Sequence, residues 1–66
     1  MDLIVNGESR SFSRRLTAAE LLAELELDAR AVVVELNRHI VRRPELNQTQ
    51  LDDGDHVELV HFVGGG

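Results

Sequence analysis

The stretch that most constrains this chain is Leu16-Thr17-Ala18-Ala19-Glu20-Leu21, which specifies the start of a helix in two superimposed ways. Thr17 and Glu20 form a T-x-x-E capping box, each side chain satisfying a backbone N–H that the first turn leaves unpaired. Leu16 and Leu21 occupy the N′ and N4 places of a hydrophobic staple around that box. Ala18, Leu21, Leu22 and Leu25 then recur at helical spacing, with Glu20, Glu24 and Glu26 mostly on the other side. The pattern predicts one amphipathic helix of about ten residues, short enough to depend on tertiary packing. Its acidic side reads as a solvated face.

The segments on either side of this helix read as strands. Leu3-Ile4-Val5 runs into Asn6-Gly7, a strong hairpin signal, and Ser9-Arg10-Ser11-Phe12 is the expected return. If Leu3 and Val5 face inward, period-two alternation turns Ile4 outward and Phe12 joins the core. Ala31-Val32-Val33-Val34-Glu35-Leu36 is rich in β-branched residues and reads as a central strand ending at Asn37. Ile40-Val41 has room only for a short edge strand before Pro44, which has no N–H to donate. Glu45 to Leu51 is expected to be a loop or helical turn, Asp52-Asp53-Gly54-Asp55 a tight turn, and Val57 to Val63 the last strand. A crossover through the helix returns the chain to the same sheet, which gives an α+β roll of four to five mixed strands packed on one main helix. Local signals do not order the strands.

At 66 residues the chain has room for one small core, so residues 1–63 are expected to form a single domain and 64–66 a flexible tail. It lacks Cys, which excludes disulfides, zinc–thiolate and iron–sulfur sites and thiol nucleophiles. Neither a long apolar run nor a basic leader is present, so no membrane span or signal peptide is expected and the expected location is cytoplasmic. A net charge of −5 argues against a nucleic-acid partner. All seven basic residues are Arg, leaving no side-chain amine on which chains of this protein could be built. The Asp cluster lacks the later ligands of a twelve-residue calcium loop, and His39, His56 and His61 lack metal-ligand spacing, so no metal site is expected. No arrangement of nucleophile and base stands out, and an autonomous enzyme is not expected.

Two features remain. If Val57 and Leu59 face the helix, then Val60 and Phe62 fall on the opposite sheet face beside Val33 and Ile4. With Val63 at the root of the tail, these residues form a candidate partner-binding surface. A bulge or register shift that turned Phe62 inward would remove it. The second feature is the run Gly64-Gly65-Gly66, which as a free terminus reaches roughly 10 Å from the body and passes where side chains cannot. Taken alone, the run fits a frayed end equally well.

Asn37 after the valine-rich strand, Ile40-Val41-Arg42-Arg43, the Asp53-Gly54-Asp55 turn and Val63-Gly64-Gly65-Gly66 together resemble the ThiS sulfur carriers of thiamine biosynthesis. The resemblance covers essentially the whole chain. It implies a ubiquitin-like β-grasp fold, in agreement with the element order above. It also implies that Gly66 is the reacting residue, with Gly64 and Gly65 giving access. A ThiF-type adenylyltransferase using Mg-ATP would adenylate the Gly66 carboxylate. Sulfur from a persulfide-forming sulfurtransferase or cysteine desulfurase would then replace AMP. Thiazole synthase would take sulfur from the resulting thiocarboxylate. No stably bound cofactor is implied.

Relatives of this fold leave other functions open. A molybdopterin synthase small subunit would use the same chemistry on a different acceptor. A protein modifier would instead form an amide with a target Lys, and a non-covalent β-grasp interaction module would tolerate residues after Gly66.

Overall fold

The computed structural model describes residues 1–62. Strands β1 (Asp2–Val5) and β2 (Glu8–Ser11) pair antiparallel, with Val5 opposite Glu8 and Asp2 opposite Ser11. Asn6 and Gly7 connect them at φ 50° and 82°, a turn whose hand matches strand twist and which needs residues tolerant of positive φ. β2 therefore begins one residue earlier than expected, and Phe12 lies just beyond it. Its N–H donates to Met1 O at 2.8 Å, and its ring packs half-buried against the core margin rather than within it.

Helix α1 (Ala18–Glu24) starts as the capping box requires: Glu20 N–H donates to Thr17 Oγ1 at 3.1 Å and Thr17 N–H to Glu20 Oε1 at 2.8 Å. The staple residues Leu16 and Leu21 are both buried. The bond from Thr17 N–H chiefly lowers the Glu20 pKa, against desolvation and with help from Arg14. That part of the cap is complete above the ordinary value of 4.5 and is lost as pH falls through the lowered one. Thr17→Ala is expected to lower the unfolding free energy by about 1 kcal/mol, measured by urea titration near neutral pH; an unchanged midpoint would show that the cap is unimportant.

The helix has seven residues, shorter than expected, because Glu26 adopts φ 58° and turns the chain. Glu26 N–H then donates to Ala23 O at 3.0 Å and Leu27 N–H to Leu22 O at 2.9 Å, the two bonds of a Schellman stop. Glycine normally fills that left-handed position. Its absence hid the helix end.

A 3₁₀ turn at Ala29–Ala31, capped by Asp28, leads into β3 (Val32–Leu36). Asn37 and Arg38, at φ 50° and 73°, turn it into β4 (His39–Val41), the expected short edge strand. A second 3₁₀ segment, Arg43–Gln48, carries the chain past Pro44 to the Asp-Gly turn and β5 (His56–His61). The sheet order is β2-β1-β5-β3-β4, with β1 and β5 parallel and the other neighbours antiparallel. The valine-rich β3 is thus interior, but the middle strand is β5. Leu3, Val5, Val32, Val34, Val57 and Leu59 face Ala18, Leu21 and Leu22 of the helix. Leu46 and Leu51, from the segment expected to be a loop or helical turn, also join this core. The mixed five-stranded sheet around one main helix is the β-grasp roll anticipated from the sequence.

Candidate functional site

Alternation along an unbroken β3–β5 ladder determines which residues the sheet presents away from the helix. Val32 pairs with His61, Val33 with Val60, Val34 with Leu59 and Glu35 with Glu58. Because Val32, Val34, Val57 and Leu59 are buried, Val33 and Val60 point outward as a directly opposed pair. Phe62 prolongs the ladder, its N–H donating to Ala31 O at 2.9 Å. No bulge turns its ring inward. Val60 is 52% exposed and Phe62 62% exposed, while Val33 is half-buried between them.

The structure adds Ile40, which stands opposite Glu35 on the same outer face and is 64% exposed. Val33, Ile40 and Phe62 line one shallow cavity of about 190 Å³. The sequence marked Ile40 only as an edge-strand residue; alternation would have placed it in the patch once the β3–β4 register was known. Ile4 behaves differently. Parallel pairing sets it beside His56, four residues along β5 from Val60 and thus roughly 13 Å away, with Glu58 between. It is half-buried there and lies outside the cluster. The candidate positions Val63, Gly64, Gly65 and Gly66 lie outside the described residues.

Charge divides the face. Arg30, Arg42 and Arg43 line the apolar cavity. Arg30 is bound by Asp28, through Nε to Oδ1 at 3.1 Å and a terminal nitrogen to Oδ2 at 2.9 Å. Those side-chain bonds, followed by the Arg30 backbone N–H, hold the Asp28 carboxyl down to about 2, and the Arg30 pKa is raised in return. At the other end of the face, Glu35 and Glu58 oppose one another directly, an unfavourable pairing in isolation. Asn37 buttresses this end: its Nδ2 donates to Asp55 Oδ1 at 3.1 Å, and its Oδ1 accepts from His56 N–H at 3.0 Å. The Asp-Gly turn is itself bonded internally, with Asp52 N–H donating to Asp55 Oδ2 at 2.8 Å.

Among the described residues, no group of three or more His, Cys, Asp or Glu side chains is arranged to hold a metal ion. No helix among them is long and apolar enough to cross a membrane. The arrangement is an exposed apolar face with arginines along one side, ending at Phe62 two positions before the glycine run in the sequence.

Comparison with known proteins shows the family and the fold. The ThiS family model matches residues 3–66, a span that includes the glycine run. The sulfur carrier protein ThiS of Bacillus subtilis is 42% identical over 65 residues, covering 97% of this chain and 98% of that protein. A thiazole synthase of Paramagnetospirillum magneticum is 47% identical over the whole of this chain, which spans only 20% of that relative's length. The crystal structure of the thiamine biosynthesis protein ThiS from Geobacter metallireducens superposes with a TM-score of 0.86 at 39% identity, covering 100% of both chains. With the same sheet, the same length and a match that runs through the last glycine, the chain belongs to the ThiS family.

Proposed function

We propose that this protein is the sulfur carrier of thiamine biosynthesis, with the Gly66 carboxylate as the group that is loaded. The observation that carries this reading is the family match through Val63-Gly64-Gly65-Gly66, placed directly after the exposed end of β5. A carboxylate is a poor electrophile. A ThiF-type adenylyltransferase therefore joins it to the AMP moiety of Mg-ATP, releasing pyrophosphate and leaving AMP as the leaving group. The terminal sulfur of a persulfide, formed on a sulfurtransferase or cysteine desulfurase, attacks the acyl carbon and expels AMP. A second thiol then cleaves the acyl disulfide, leaving the thiocarboxylate on Gly66 and a disulfide on the partner.

Thiazole synthase is the proposed acceptor. The likeness to one-fifth of a thiazole synthase chain supports it, because in that relative the carrier-like segment and the synthase share a polypeptide. Beyond the Gly66 carboxylate, whose oxygen attacks the α-phosphate, the reacting groups belong to the partner enzymes, and the expected compartment is the cytoplasm. Residues 1–63 serve as the docking body and 64–66 as the inserted tail.

Val33, Ile40, Val60 and Phe62 form the proposed contact with the activating enzyme, with Val60 directly opposite Val33 on the neighbouring strand. Val60→Asp places a charge where apolar area must be buried. Its affinity for the activating enzyme should fall about 30-fold or more, as expected for an interface anchor. Because Val60 is 52% exposed, the urea midpoint should move little. Titration by calorimetry with unchanged affinity and unchanged sulfur loading would remove this face from the function.

A further inference from the structure

Backbone groups along β5 alternate between its two neighbours. Those of His56, Glu58 and Val60 turn toward the β3 side, where Asn37 N–H also donates to His56 O at 2.8 Å. Those of Val57, Leu59 and His61 turn toward β1. Val57 O accepts from Asn6 N–H at 2.9 Å, and Leu59 N–H donates to Asn6 Oδ1 at 2.7 Å. The Asn6 side chain thus supplies the last acceptor that β1 can offer.

Past this point β1 has turned away into β2, and its register with β5 ends at Val5 opposite Val57. The Leu59 carbonyl and the His61 N–H and carbonyl have no strand beside them and no hydrogen bond among the described residues. A groove of about 390 Å³ runs along this free edge, with Leu25, Leu27 and Leu59 in its lining beside Glu8, Arg10 and Glu24. Leu25 and Leu27 are half-buried there.

We propose that this open edge of β5 takes up an extended strand of the enzyme that receives the tail. The incoming backbone pairs with Leu59 and His61 and rests its side chains on Leu25 and Leu27. The inference rests on the reading of Val63–Gly66 as an inserted tail. An enzyme that encloses Gly66 must approach within about 17 Å of His61, because five extended residues span no more than that. Main-chain pairing at a free edge is an established way to bind a polypeptide. The charges favour a heterologous partner: Glu8 and Glu24 outnumber Arg10 at the groove, which suits a strand carrying Lys or Arg. A second copy would bring another net −5.

Amide hydrogen exchange on the full chain tests this, alone and with an excess of the ThiF-type activating enzyme or of thiazole synthase. The His61 N–H should exchange freely in the isolated protein and slow at least about tenfold in one of the two complexes. A complex in which Phe62 and the glycine tail become protected but His61 does not overturns the strand-pairing proposal and leaves the carrier reading intact. No binding to either enzyme overturns both. Slowing that grows with the concentration of the protein alone assigns the edge to a second copy and also overturns the proposal. His61→Pro removes an N–H that the β3 ladder does not use. It should weaken binding about tenfold with little change in the urea midpoint, and an unchanged affinity contradicts the proposal.

Discussion

Gly65→Val is expected to leave the protein folded and to reduce sulfur loading at Gly66 at least about 100-fold, the scale on which misplacing a reacting group is felt. Glycine lacks a Cβ and passes through a channel that only backbone can fit. Valine adds two methyl groups and stiffens the chain at the same point. Among the described residues the core is built from side chains between Leu3 and Leu59, so urea unfolding of this variant is expected to shift by no more than about 0.5 kcal/mol. Loading at the normal rate with an unchanged fold would mean that the tail is not threaded, and the glycine run would need another explanation.

Leu21→Ala acts on the opposite part of the molecule. Leu21 has no exposed surface, closes the staple with Leu16 and meets the sheet at the centre of the core. Truncating such a side chain costs about 2–5 kcal/mol through lost transfer energy and the cavity left behind. A domain of this size holds roughly 3–5 kcal/mol in total, so a large fraction of the variant should be unfolded at 37 °C. Far-UV circular dichroism with urea titration measures this directly. A cost below about 1 kcal/mol would show that the site collapses around the smaller side chain.

What the sequence revealed follows from the range of each interaction. The capping box, the Asn6-Gly7 hairpin and the Asp-Gly turn each lie within a few neighbouring residues, and all three form as their residue types demand. The helix stop and the Asn37-Arg38 turn use the left-handed region without glycine, so nothing local announced the first of them. Leu46 and Leu51 carry no strand or helix period, and only the closing of the core against α1 reveals their burial.

The exposed apolar face, proposed above as the docking surface, shows the same division. Val60 and Phe62 were legible because alternation within one strand is local, and Val33 because β3 alternates in phase with β5. Ile40 and Ile4 depended on pairing between strands. The β3–β4 register brings Ile40 to the cavity shared with Val33 and Phe62, while the parallel β1–β5 register carries Ile4 away to His56. Neither register can be derived from the residues that obey it.

The central claim concerns one atom exchange at the last residue. Incubation of the protein with Mg-ATP, a ThiF-type enzyme and a persulfide source, followed by intact mass measurement and fragmentation of the C-terminus, reads it directly. The expected result is replacement of one carboxylate oxygen by sulfur, localised to Gly66. An unmodified Gly66, beside a control carrier loaded in the same mixture, contradicts it.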